Sequence, residues 1–421
     1  MNRRQILKIG GSLSALAAGA RTAKADDPYR VGVGRSVDPY AATITAIQAC
    51  QDWDSLDISG RVVFLKPNLV GWKPVAEAAT THPESVRAVV DLLLDAGAGD
   101  ILIIEADLAY PGGRWAQAGY DLFSNYHPKV RLLNISYIEQ ILTPVPGGLA
   151  YDAIWLPRAI QHPGSLLISV GKLKTHNEAG ATLATKNLFG LPSAGRYLSV
   201  FPTGRFAMHD RGVHQATVDI NLARPIDFAV VEGVLGMEGQ GPLGGTPIRM
   251  DTVLAGKNSV AVDWVGVSAM QMPPEHVKHL AYAAQAGLGP ASLSEVTILG
   301  DALAPKPFAL SHQAPRIEYP RVFPAAIHAG QGPALGWLWY DEPCLRSVDI
   351  RKLREDTAAV QIIRTLKPYE PRAAGLEVVP WDGRDDDGAL VPPGRYAFHV
   401  RAVSAAPRPA DAVGRVYILE S

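Results

Sequence analysis

The chain has 421 residues, 47 % of them hydrophobic and 19 % charged. That is too apolar for intrinsic disorder and long enough for more than one domain. A formal net charge of −1 supplies no global field for nucleic acid or an anionic membrane, so neither is expected as a partner.

The N-terminus reads as an export signal spanning residues 1–25. Arg3 and Arg4 form an arginine pair, "IGGSLSALAAGA" is a mild apolar run, and "AKA" ending at Ala25 is a small-residue cleavage pattern. The pair points to the twin-arginine route. The expected partner is therefore the twin-arginine export machinery, and the expected location is periplasmic or secreted, reached in the folded state. Cargo of this route often carries a cofactor loaded beforehand. The apolar run falls short of the ~20 residues a spanning helix needs, and no later run is longer, so no stable membrane span is expected after cleavage.

From Tyr29 strands and helices alternate. "YRVGVG" reads as a strand, "PYAATITAIQACQDW" as a helix and "GRVVFLKPN" as a buried strand. "HPESVRAVVDLLLDAG" has proline near its start, Glu84 in the first turn and glycine at its end, which predicts a helix. "DILIIEAD", "SLLISVGKLK" and "PIDFAVVEG" follow as strands. "MDTVLAGKNSVAVDWVGVSAM" gives a strand, a turn and a helix, and "VTILGD" a last strand. The expected fold is α/β over 29–304, a mostly parallel sheet covered by helices on both faces. Residues 305–334 are proline-rich and read as a linker. From Leu335 to the end, short alternating runs predict a small all-β, immunoglobulin-like sandwich. Cys50 and Cys344 fall in different expected domains, which disfavours a disulfide. Two cysteines are also too few for a four-cysteine iron–sulfur cluster.

Open parallel sheets bind ligands at the carboxyl ends of their strands. Four strands deliver polar residues there. They are Lys66 and Asn68, then Glu105 and Asp107, then Lys172, Lys174 and His176, then Glu232 followed by "GMEGQGPLGG" with Glu238. Lys186 and Asn187 follow closely, and "TKN" is expected to open a helix. The glycine-rich loop lacks the P-loop lysine and the strand-to-helix setting of a dinucleotide fingerprint, so it reads equally well as a turn or an anion cradle. His209 and His214 are spaced by five, which does not place both on one helical face. His209 becomes a metal ligand or acid–base group only if it folds back beside His176. His82 sits at an expected helix start, where capping or loop packing is its expected role. "WDGRDDDG" reads as a polar turn, because Gly383 and Gly394 fall where a calcium loop needs carboxylates.

Five ordered stretches are recognisable: "VVFLKPNLV", "TTHPESVRAVVDLLLDAGAGDILIIEAD", "GKLKTHNEAGATLATKNLFGLP", "VVEGVLGMEGQGPLGG" and "VLAGKNSVAVDWVG". Together they resemble the family catalogued as domain of unknown function 362, over roughly 29–301. The resemblance implies that Lys174, Thr175, His176, Lys186 and Asn187 belong to family motifs, with a later histidine at His209. Some family members carry an attached ferredoxin-like segment, but its cysteines are absent here. The tail "VVPWDGRDDDGALVPPGRYAFHVRA" is similar to the immunoglobulin-like module of the flagellar hook-capping protein, which implies packing or adhesion.

The expected function is an exported enzyme, metal- or cofactor-dependent and leaning towards redox, acting on a small anionic substrate. Lys174, His176, Lys186 and Glu232 would be catalytic. Lys66, Asn68, Lys172, Asn187 and Glu238 would bind the anion. A divalent metal would sit on His176, His209 and Glu105. The cofactor is otherwise unassigned. The alternatives are a non-catalytic periplasmic anion-binding protein and an adhesion role led by the sandwich.

Overall fold

The computed structural model describes residues 29–197, 206–311, 317–340, 343–353, 361–403 and 410–420. The export signal read over residues 1–25 lies outside them.

The first eleven strands are β1 (Tyr29–Arg35), β2 (Val62–Pro67), β3 (Ile101–Glu105), β4 (Val130–Asn134), β5 (Gln140–Pro144), β6 (Ala153–Pro157), β7 (Ser165–His176), β8 (Gly180–Leu183), β9 (Phe228–Glu238), β10 (Thr246–Gly256) and β11 (Val296–Gly300). The helices are α1 (Pro39–Ala49), α2 (Pro83–Asp95), α3 (Phe206–Asp210), α4 (Val213–Ala223), α5 (Ser259–Ala269) and α6 (His279–Gln285). The central sheet has the order β11-β1-β10-β9-β7-β2-β3-β4, with β8 added to β7. It is mixed. β9, β7, β2, β3 and β4 run parallel, while β10 is antiparallel to both β9 and β1. β5 and β6 form a separate antiparallel pair.

Successive strand residues alternate between clusters, as the two-residue period of a strand requires. Val63, Leu65, Ile168, Val170, Val230 and Val253 share a core with Ala46 and Ile47 of α1 and with Val86 and Val89 of α2. The intervening Ala229, Val231 and Leu254 join Val260 and Val265 of α5 and Leu280 of α6. Phe64 and Leu167 join Ala216 and Ile220 of α4. β7 is buried at all twelve positions, so its lysines enter the interior and must find partners there.

One strand runs well past its expected end. β9 continues six residues beyond Glu232 and turns through the glycine-rich loop into β10, with Glu238 opposite Thr246. Gly233 looked like its terminator. In fact a Cβ there would lie 2.6 Å from Leu173 Cδ2, so the glycine permits close packing of neighbouring strands. "TKN" opens a 3₁₀ turn, Lys186–Gly190, rather than a longer helix. His82 is the N-cap of α2, its Nδ1 accepting from the Glu84 amide at 3.2 Å.

The C-terminal region holds two sheets. β12 (Ile317–Phe323), β14 (Ala334–Tyr340) and β17 (Gly375–Trp381) form one. β13 (Ala326–His328), β19 (Ala410–Leu419), β18 (Gly394–Val403), β15 (Cys344–Lys352) and β16 (Gln361–Arg372) form the other, in that order. Leu338, Tyr340 and Trp381 from the first share a core with Val348, Phe398 and Val400 from the second. β12 and β13 fall inside the stretch read as a linker. Pro320 lies in β12, an edge strand, where a missing amide donor is tolerated. "WDGRDDDG" lies in the connection between β17 and β18, turned tightly enough for Arg384 to bridge Leu390. Cys50 and Cys344 are both buried, and no disulfide joins them. No described helix is long and apolar enough to cross a membrane.

Candidate functional site

A cleft of about 430 Å³ opens at the carboxyl ends of β2, β3 and β7. That lies within the size range of small-molecule sites. Its polar floor holds Lys66, Asn68, Glu105, Lys174, Lys186 and Asn187, with His176 and His209 beside them.

Each lysine has a different environment. Lys66 Nζ bonds Glu105 Oε2 at 2.5 Å and the Pro67 carbonyl at 2.8 Å. Gly190 lets the pair fit, since a Cβ there would stand 2.6 Å from Lys66 Cε. Lys172 pairs with Glu232, both wholly buried, and Glu232 also accepts from the His82 and Val234 amides. Lys174 differs from both. Its Nζ donates to Asn68 Oδ1 at 2.9 Å and to the Ala79 and Pro242 carbonyls at 2.5 and 3.2 Å, all neutral acceptors. Burial, and then the charges of Lys172 and Lys186, hold its ammonium well below the ordinary lysine range. Three acceptors favour the protonated form, but they do not offset the loss of water and the crowd of like charges. Lys186 Nζ lies 3.8 Å from the Phe189 ring centre.

Two asparagines tie these groups together. Asn187 Nδ2 donates to the Lys66 carbonyl at 2.8 Å and to Ser169 Oγ at 3.0 Å. Its Oδ1 accepts from Asn68 Nδ2 at 3.0 Å, and Asn68 Oδ1 in turn accepts from Lys174. The turn bearing Lys186 and Asn187 is anchored from α5. Asp263 accepts from the Ala184 amide at 2.7 Å and from the Thr185 amide and hydroxyl at 3.0 and 2.5 Å.

His209 does fold back towards His176. Their rings stack with centres 6.2 Å apart. His209 Nδ1 meets Glu178 Oε2 at 2.5 Å, and His176 Nδ1 accepts from the Glu178 and Ala179 amides at 3.1 and 3.2 Å. Glu105 is not part of this group, because its oxygens are held by Lys66 and by the Leu69 and Ala106 amides. Among the described residues no three histidine, cysteine, aspartate or glutamate side chains converge to hold a metal ion. The set His176, His209 and Glu105 therefore does not fit a metal.

Most of the expected site residues are brought together, but not all. Lys172 and Glu232 form an interior pair off the cleft lining, and Glu238 accepts from the Ala309 amide at 2.7 Å, away from it. The glycine-rich loop is a hairpin turn that presents Pro242 and Leu243 to the cleft. Gly241 is needed because a Cβ there would meet the Thr175 carbonyl at 2.0 Å. His214 lies apart from the cleft lining in a buried pair with His279, Nδ1 to Nδ1 at 3.2 Å. Burial pushes the His279 imidazole down to about 3. Sequence reasoning missed Glu178, although it lies only two residues after His176. It also missed the apolar lining of Leu69, Trp72 and Phe189, which carries no polar signature.

Residues 63–268 match the family described as Domain of unknown function (DUF362), a narrower span than the five stretches suggested. The chain is 26 % identical over 238 residues to "Thylakoid-associated protein sll1697" of Synechocystis sp., covering 55 % of this chain and 70 % of that protein. Among solved structures, the Pseudomonas fluorescens alkylpurine DNA glycosylase AlkC aligns at 14 % identity and TM-score 0.20, over 39 % of this chain and 46 % of that one. The Erythrobacter marinus β-glucosidase EmGH1 aligns at 12 % identity and TM-score 0.16, over 92 % and 49 %. The chain spans about half the length of each of these two, and scores this low carry no argument about fold or function.

Proposed function

We propose that residues 63–268, which match the DUF362 family model, hold an enzyme that binds a small anionic substrate at Lys174 and moves a proton with His209. One observation carries this reading. Lys174 is a fully buried lysine lining the cleft, and all the partners of its Nζ are neutral, so its protonated form has no counter-charge bonded to it. A buried charge without a counter-charge is costly, and an anionic ligand supplies that counter-charge. Lys186 adds positive charge on the same floor. Asn68 and Asn187 fix the geometry.

The acid–base assignment rests on Glu178 and His209. A carboxylate on Nδ1 fixes the ring's orientation and stabilises the imidazolium formed when the other nitrogen takes a proton. His176 stacks beside it. Glu105 is committed to Lys66 and is not assigned a metal-binding role. The second reading is a non-catalytic anion-binding protein. It is favoured by the saturation of Lys174 with three acceptors, which suits a rigid seat as well as a reactive one.

The test is a thermal-shift and calorimetric panel of phosphates and carboxylates on the full chain and on Lys174→Met. Binding should fall at least about tenfold in the variant, a loss of about 1.4 kcal/mol. Equal binding by the two proteins would remove the anion seat. Turnover of a bound anion that is lost in His209→Gln, with binding kept, selects the enzyme over the binding protein.

We also read the chain as exported to the periplasm by the twin-arginine route, with the C-terminal sheets as an immunoglobulin-like packing module. Replacing Arg3 and Arg4 by lysine should retain the protein in the cytoplasm. Unchanged export on fractionation would sink that reading.

A further inference from the structure

We infer, resting on the anion-binding reading, that the ligand is an amphipathic acid, with an anionic head seated on Lys174 and an apolar body lodged at the cleft mouth. The cleft's volume comes first. About 430 Å³ is room for some fourteen waters at ~30 Å³ each, far more than inorganic phosphate or acetate occupies. The remainder leaves room for a second part of the ligand.

The chemistry of the mouth decides what that part is. Leu69, Val70 and Trp72 line it from the loop after β2, and Leu243 lines it from the hairpin between β9 and β10. The two loops meet. A Cβ on Gly71 would stand 2.6 Å from Leu243 Cδ2. Val70 and Leu243 are 38 % and 37 % exposed, so apolar surface is presented to water where a ligand would pass. Covering such surface contributes about 25 cal/mol per Å².

The carboxylate on that side is already committed, although Arg114 also lines the wall. Asp107 Oδ1 accepts from the Ala109 and Tyr110 amides, and its Oδ2 accepts from Arg114 Nε at 2.8 Å. Trp72 is held in place edge-on to Trp115, with ring centres 5.0 Å apart, so this wall is formed before any ligand arrives. Apart from the Arg114 guanidinium, a sugar or other polyhydroxylated body would meet mainly apolar side chains at this wall. A flat apolar body would find a prepared surface.

The test is a pair of series measured by calorimetry on the full chain. The phosphate series runs from inorganic phosphate to methyl phosphate and phenyl phosphate, with glucose 1-phosphate as the polar-bodied control. The carboxylate series runs from acetate to benzoate. Phenyl phosphate or benzoate should bind about tenfold or more tighter than the parent ion, and glucose 1-phosphate should gain nothing. Leu243→Asn, at an exposed position, should remove most of that gain and leave binding of the parent ion unchanged. Val70→Asn is the second variant and should behave the same way. If neither series tightens with its apolar body, while Lys174→Met still abolishes binding, the amphipathic ligand is wrong and the anion seat stands. Phenyl phosphate that binds equally well to Lys174→Met overturns the anion seat itself.

Discussion

Three buried lysines within two strands reach three different solutions. Lys66 and Lys172 each meet a carboxylate, Glu105 and Glu232, and so resemble structural ion pairs whose parts cannot be removed singly without stranding a charge. Lys174 has only neutral acceptors. Sequence alone identified the residue type and the strand end. It could not sort the three, because the sorting depends on which carboxylate crosses from a neighbouring strand. Asp263 presents the opposite problem. Three donors favour its carboxylate, but complete burial outweighs them and pushes it up to about 7. The folded state then keeps a proton that the unfolded chain releases near pH ~4. Its stabilising contribution is full below about pH 4 and is lost as pH rises through about 7. Asp219, pushed up to about 6, acts in the same direction. Asp263→Asn should therefore flatten the fall in stability between about pH 4 and 7, where one such group is worth about 1.4 kcal/mol per pH unit. Urea unfolding across that range measures it, and a slope unchanged by the substitution would refute the assignment.

Elements were legible where hydrophobic period and punctuation agreed, as in α2, with Pro83 at its start and Gly97 after its end. They were illegible where glycine serves packing instead of turning. Gly233 sits inside β9, where Leu173 Cδ2 and Cβ of the neighbouring β7 would lie 2.6 and 2.8 Å from any added Cβ. Reading it as a stop moved Glu232 from mid-strand to a strand end, and hence into the expected site. Gly233→Ala should cost about 1–3 kcal/mol through overpacking. A urea-measured loss below about 0.5 kcal/mol would mean that β7 yields easily at this point. α4 escaped notice for a different reason. It begins at Gly212 without a side-chain cap, so no start signal marks it.

At the scale of the molecule, the α/β region and the two C-terminal sheets were separable by pattern alone, since one alternates strands with helices and the other does not. The antiparallel β10 was not foreseeable, because buried runs look alike in either direction. Asp152, beside β6, pairs with Arg395 and Arg415 of the C-terminal sheets. Such half-exposed pairs contribute at most about 1 kcal/mol, so the cleft does not depend on them. Lys174 is held well below the usual range by burial and by its lysine neighbours, so an anion seated there as proposed would oppose that shift and couple binding to proton uptake. Calorimetric titration of phenyl phosphate in buffers of different ionisation enthalpy, repeated across a pH series, tests this directly. Proton uptake should accompany binding, with both uptake and binding lost in Lys174→Met. Binding without proton uptake, or binding and uptake that survive in that variant, would contradict it.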